Sequence, residues 1–374
     1  MTWQKIKTIS LSLIILMMIT IIPASAAGNG TSNDPYIITN QSELQSISND
    51  LSAYYVLGND IDLSGVTWTP IGSSFNPVVT GFHGYLGGNN YTITNLYLNG
   101  TDTDYIGLFS VITAGAQIEN IMFTDCTVMG KSNVGLVFGA CIMASGVDTQ
   151  AIISNVDSEN CTVIGSSANV GGIAGSSRTY ADIAYVNCDV SNGTVESTSS
   201  SAVGGIAGLG ANPTSSAAFT GCTANGMHVK ASSNSVGGIA GYGANTNSSA
   251  AFVGCIATSC IIESTSSNNV GGIAGYGAIT NSSAAFENCK AVNCVMKGSY
   301  YVGGIAGYGA NTNSSAAFAG CAAEMCTVYA TSNYAGGICG RIYAGNTGTF
   351  TDCIVKYSSI VAPSYVAGIC PAWA

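Results

Sequence analysis

Fourteen cysteines stand in this 374-residue chain, and most keep a regular interval. Cys126, Cys161, Cys188, Cys222, Cys255, Cys289, Cys321 and Cys353 form one series. Cys260, Cys294 and Cys326 form a second, each five residues behind a member of the first. Thiols so placed could bind metal, cross-link, or fill a core. Structural zinc sites use closer cysteine pairs with histidine partners. Only His83 and His228 are present, and neither falls at such a spacing. No metal and no cofactor are therefore expected. Neighbours on stacked strands would lie ~4.8 Å apart, within bridging range. Free Cys is also a small apolar residue that is often buried. Disulfides and thiols both stay open, with buried thiols preferred.

Other chemistry is sparse. Enzymes that cut acidic polysaccharides need clustered carboxylates for hydrolysis, or Arg and Lys with Asp and calcium for elimination. Glu263, Glu287 and Glu324 read as scattered over different repeat positions, and Lys230, Lys290, Lys297 and Arg341 as sharing no one column. Asp60 and Asp62 could bind calcium, but turn hydrogen bonds are the plainer reading, as for Asp102 and Asp104. His83, beside Gly84, reads as a turn residue. No catalytic residue is expected. Tyr242, Tyr276 and Tyr308 should stack on successive turns, with Leu209 one turn earlier. Such a row is either a ligand-contact surface for sugar rings or a ladder protecting a corner. Asn247, Asn281 and Asn313 open aligned Asn-Ser-Ser triplets on an expected exposed loop, and could carry glycans.

The elements that position these residues follow from a repeat. Val-Gly-Gly-Ile-Ala-Gly occurs at Val170–Gly175, Val203–Gly208, Val236–Gly241, Val270–Gly275 and Val302–Gly307. Looser copies begin at residues 106, 134, 335 and 366. A period near 33 residues means a stacked array. Short β-branched and small-residue runs between Gly, Asn and Ser indicate strands and turns rather than helices. Val270 and Ile273 are three apart, so both reach a core only if the chain kinks at Gly271-Gly272. Phe286 and Cys289 pose the same requirement. Each cysteine of the first series follows Asn, Asp or Gly, the types that best tolerate left-handed backbone. That marks a corner. Each repeat is then one turn of a right-handed parallel β-helix, and nine turns would make a rod of about 45 Å. A propeller is the alternative, but its blades need ~40–50 residues.

Lys5 and Lys7, the apolar run Ile9–Ile22 and Ala24-Ser25-Ala26 have the layout of a secretory signal, residues 1–26. Removing it leaves seven basic against nineteen acidic residues. Nucleic acid is excluded as a partner on this balance, since it is bound through basic patches. No later segment is apolar for long enough to span a bilayer. Ser42–Leu51 has apolar residues at helical spacing behind a Ser or Asn cap, which predicts a short helix covering the first turn.

Residues 27–100 form an opening unlike the repeats. Asp34-Pro35-Tyr36, Asp60-Ile61-Asp62-Leu63, Pro70-Ile71-Gly72 and Thr92-Ile93-Thr94-Asn95-Leu96 precede the hexapeptides. Together with those hexapeptides, in which Ile-Ala stands for Leu-Val, this resembles the exported β-helix proteins that carry the GLUG motif. The resemblance implies a right-handed parallel β-helix on a bacterial or archaeal cell surface, with adhesion or surface structure as its role. The motif also occurs in large secreted proteases, but His-Glu-x-x-His is absent here. The expectation is an all-β chain with a cap and first turns over 27–100 and a repetitive β-helix over 101–374. It would be secreted and non-catalytic, and would contact surface glycans or proteins. A carbohydrate-active enzyme and a scaffold within a larger assembly remain alternatives. Beyond Ala374 an open sheet edge is expected to meet a partner, a second copy end to end, or further sequence.

Overall fold

The computed structural model describes residues 26–73, 80–146, 149–178, 180–266 and 269–371. The expected signal segment, apart from Ala26, lies outside them. Residues 249–282 show how one turn is made. Strand Ser249–Val253 alternates, with Ala250 and Phe252 buried and Ser249 and Val253 exposed. Gly254, at φ 63°, turns the chain and leaves Cys255 inside. Ile256–Thr258 follows, Ser259 at φ 53° makes a second corner, and Cys260 again faces in. Ile261–Ser264 and Asn269–Gly271 form the second side, and Ala274–Thr280 the third. Asn281, at φ 48°, then leads into Ser283–Glu287 of the next turn.

Every turn pairs with the next in parallel, so the chain is a β-solenoid of three sheets. In the first sheet one column passes through Tyr36, Tyr55, Leu86, Ile118, Ile153, Tyr185, Phe219, Phe252, Phe286, Phe318 and Phe350 in unbroken register. The opening residues thus lie on the same coil as the repeats. The expected helix is there: Gln41–Gln45 is α-helical and Ser46–Asn49 is a 3-10 turn. The Asn40 side chain caps it by accepting from the Glu43 amide, and Leu44 and Ile47 are buried.

The backbone corners fall where the sequence placed them. Asp125, Asn160, Asn187, Gly221, Gly254, Asn288, Gly320 and Asp352 all have φ between 50° and 63°. Val270, Ile273, Phe286 and Cys289 are all buried, as the two kinks require. The second corner was less legible, because bulky Met325 and Tyr357 occupy it at φ 54° and 53°.

The interior is built of columns. From Tyr185 to Phe350 six rings stack with centroids 4.8–4.9 Å apart and planes within 2–7°. Each such pair adds about 0.5–1.5 kcal/mol beyond burial. All fourteen cysteines are free thiols, twelve of them buried. The thiols reach back one turn: Cys255 donates to the Phe219 carbonyl at 3.3 Å and Cys289 to that of Phe252 at 3.3 Å. In the second column Cys294 donates to the Ala257 carbonyl at 3.4 Å and Cys326 to that of Ala291 at 3.3 Å. One turn further the same place is taken by Ser358, whose hydroxyl donates to the Ala323 carbonyl at 3.3 Å. The position therefore asks for a small donor, which a disulfide sulfur is not. Reagent titration of native protein should leave the twelve buried thiols unmodified, and all fourteen should react after unfolding.

At the bend between the second and third sheets the neighbouring turns touch backbone to backbone. A Cβ on Gly272 would lie 2.1 Å from the Gly304 carbonyl oxygen and 2.7 Å from the Ala291 Cβ. Gly272→Ala is expected to destabilise by at least ~3 kcal/mol. An unshifted urea midpoint would show that the turns are not in this contact.

Candidate functional site

The aligned Asn-Ser-Ser triplets sit where the third sheet turns into the first. In-register stacking turns them into a groove of about 750 Å³ lined only by Ser, Asn, Gly and Thr. Its floor is the middle serine: Ser215, Ser248, Ser282 and Ser314 are buried, and Asn346 continues the column. The Ser282 amide donates to Ser314 Oγ at 3.1 Å, and the Ser314 amide to Asn346 Oδ1 at 2.8 Å. Among the described residues Ser248 Oγ is buried without a hydrogen-bond partner. One wall carries Asn247, Asn281 and Asn313, all exposed and left-handed at φ 48°, 48° and 55°. The other carries Ser249, Ser283, Ser315 and Thr347, paired in register. Rungs ~4.8 Å apart make this a track of donors and acceptors on the order of 20 Å long. Without charge or nucleophile activation, it can bind hydroxyl-bearing chains but offers no acid or base.

The three tyrosines do stack in register after Leu209. They are not an open platform. Tyr276 and Tyr308 are only 7% and 5% exposed, and Tyr242 is half-buried. Tyr276 and Tyr308 lie face to face at 4.7 Å, and Tyr242 meets Tyr276 edge-on at 6.0 Å. Burial pushes the phenols of all three up from their ordinary pKa. Next in this column after Tyr308 comes Arg341.

Lys290 and Arg341 stand in other columns, as do Glu287 and Glu324, but Glu196, Lys230, Glu263 and Lys297 share one column of the second sheet, which the sequence reading did not bring together. Each lies eight residues behind a column cysteine, a signal present in the sequence. What hides it is that acidic and basic residues take alternate turns, so neither kind alone recurs at the repeat period. The signs alternate along the column. Lys230 Nζ is 3.4 Å from Glu196 Oε1, and His228 Nε2 is 3.1 Å from Glu263 Oε1. This is mutual neutralisation on a sheet face.

The acidic candidates of the opening serve turns. Asp62 accepts from Asn95 Nδ2 at 2.8 Å and from the Ser64 amide at 2.9 Å, and these bonds, led by Asn95, hold its carboxyl low. Asp60 accepts from the Thr92 amide at 2.8 Å. Asp102 and Asp104 are exposed, and His83 Nδ1 lies 2.9 Å from the Gly81 carbonyl. Among the described residues no group of three or more His, Cys, Asp or Glu is placed to hold a metal.

No family model matches the chain. One stretch of 119 residues is 36% identical to "Halomucin" of Haloquadratum walsbyi, covering 30% of this chain and 1% of that protein. A match over 107 residues is 37% identical to a "Putative Gly-rich membrane protein" of Evansella cellulosilytica, covering 26% of this chain and 12% of that one. The chain thus spans a small part of the relatives it matches. Among solved structures, "a putative immunoglobulin A1 protease" from Bacteroides ovatus superposes with a TM-score of 0.51 at 24% identity. That match covers 71% of this chain and 79% of the other, and it is a likeness of fold.

One carboxylate pair went unread in the sequence. The Asp189 amide donates to Asp157 Oδ1 at 3.1 Å, and Thr223 Oγ1 donates to Asp189 at 2.6 Å. Burial, and then the neighbouring Asp189 carboxylate, push the Asp157 carboxyl up from 3.8 to about 6. The native chain therefore keeps a proton between pH 4 and 6 that the unfolded chain has released, and stability falls as pH rises through that window. Asp157→Asn is expected to be more stable than the parent at pH 7 by about 1 kcal/mol after screening. The gain should vanish below about pH 4, which urea unfolding at pH 4 and pH 7 would check.

Proposed function

We propose that the protein is an exported, non-catalytic cell-surface β-solenoid of the GLUG-motif kind that holds uncharged glycan chains along the Asn-Ser-Ser groove. The observation that carries this reading is the groove itself: one hydrogen-bonding set, repeated in register on successive turns, without a charged residue in its lining. Such a track suits an extended polymer that presents hydroxyls repeatedly. Many weak equivalent contacts give useful retention by multivalency. The names of the two relatives, a halomucin and a Gly-rich membrane protein, support a place at the cell surface. Among the described residues no helix is long and apolar enough to cross a membrane. The acidic balance argues against nucleic acid.

The test is retention of the purified chain on immobilised neutral glycans, with soluble products sized in the same run. The comparison is a variant with Asn247→Gly, Asn281→Gly and Asn313→Gly. Glycine suits the left-handed backbone, and Gly345 already stands in that lining. The parent should be retained with no shortened products, and the variant should lose at least ~tenfold in affinity, given about 1 kcal/mol per hydrogen bond. Failure of the parent to bind would overturn the reading. So would an intact mass showing glycans already attached at these asparagines, since they would fill the groove. The Asp157–Asp189 pair favours one second reading, a glycan-cleaving enzyme. Shortened products that disappear in Asp157→Asn would establish it.

A further inference from the structure

The tyrosine column ends in Arg341, which gathers three rings, whereas Arg178, the other arginine set over a tyrosine among the described residues, lies over the ring of Tyr105 alone. Its guanidinium lies 4.6 Å from the Tyr334 ring centre, 5.2 Å from that of Tyr301 and 5.4 Å from that of Tyr343. Among the described residues its side chain has one hydrogen-bond partner, Tyr301 Oη at 2.9 Å. It takes part in neither of the two ion pairs found there. A guanidinium carries five N–H donors in a planar fork matched to a carboxylate. In a chain with twice as many acidic as basic residues, this partly exposed cation has no acid paired with it among the described residues.

The rings beside it are open to solvent. Tyr343 is 47% and Tyr365 50% exposed, and Tyr365 stacks on Tyr334 at 4.5 Å with planes 7° apart. Tyr334 and Tyr365 both hold left-handed backbone, at φ 49° and 57°, in the column where Tyr105, Asn133 and Asn169 do so on earlier turns. Aromatic bulk at a corner that asparagine fills more easily adds strain of about 1–2 kcal/mol per residue. Aromatic faces bind the apolar face of a saturated ring, and a guanidinium binds an acid group. From this juxtaposition we infer that Arg341, with Tyr334, Tyr343 and Tyr365, forms a binding site for an acidic sugar. The carboxylate pairs with Arg341 and the ring packs on the exposed tyrosines. The inference stands apart from the groove, which carries no charge and takes a neutral chain.

The test is affinity electrophoresis of the full chain in gels containing polygalacturonate or a neutral glucan. Variants are Arg341→Gln, Arg341→Lys and Tyr343→Ala. Polygalacturonate should retard the parent. Arg341→Gln should weaken that binding about tenfold or more and Arg341→Lys less, the fork being lost but the charge kept. Tyr343→Ala should weaken it several-fold. Behaviour in neutral glucan should not change in any variant, whatever the groove does. No retardation by polygalacturonate would overturn the inference, as would parent-like retardation of Arg341→Gln. Stronger competition by an acidic peptide than by a hexuronate would overturn it in favour of a protein partner. If Arg341→Gln fails to fold by circular dichroism, Tyr343→Ala, an exposed side chain outside the core, decides.

Discussion

Everything in this molecule depends on parallel turns stacked in register at ~4.8 Å. Whatever one turn places at a position, the next sets directly beside it. A side chain must therefore be compatible with its own kind. Phenylalanine is, and the rings from Phe219 to Phe350 stack almost coplanar. A thiol is, because in the two cysteine columns it finds the carbonyl of the turn before. A charge is not, and this accounts physically for a chain in which only 7% of residues are charged. Where charges do form a column, as from Glu196 to Lys297, they alternate in sign. Where like charges meet, at Asp157 and Asp189, burial and then the neighbouring carboxylate drive the Asp157 carboxyl upward in pKa.

The same constraint shapes what the surface can do. Repetition converts three small residues into a long uniform groove, although no single turn has a pocket. Specialised sites then arise where a column changes identity. Arg341 is such a break: a cation that closes a row of tyrosines, facing rings from a second column that has itself switched from asparagine to tyrosine. Repeated positions offer capacity, and interrupted ones offer selectivity.

Much of the coil was legible from single residues. Asp125, Asn160 and their equivalents gave the first corner because left-handed backbone has few willing occupants. The three-residue spacings of Val270 with Ile273 and Phe286 with Cys289 gave the kinks, because strand side chains alternate. The second corner was not legible, since Met325 and Tyr357 accept left-handed backbone only because the turns before them impose it. The charge column was obscured because its signs alternate, so neither the acidic nor the basic residues alone recur on every turn.

The sequence by itself determined the period, the stacked turns, the first corner and the columns of cysteine and tyrosine, because all of these follow from local backbone preference and a simple repeat. Tertiary structure alone decided which columns meet water. Tyr276 and Tyr308 carry polar tips and stand in a glycine-rich run, yet they are buried against each other and Tyr301. Asn281 and Ser283, equally small and polar, border an open groove. Which way a column faces depends on how three sheets close around one interior, and on which rings and guanidinium the bends bring together from separate sides.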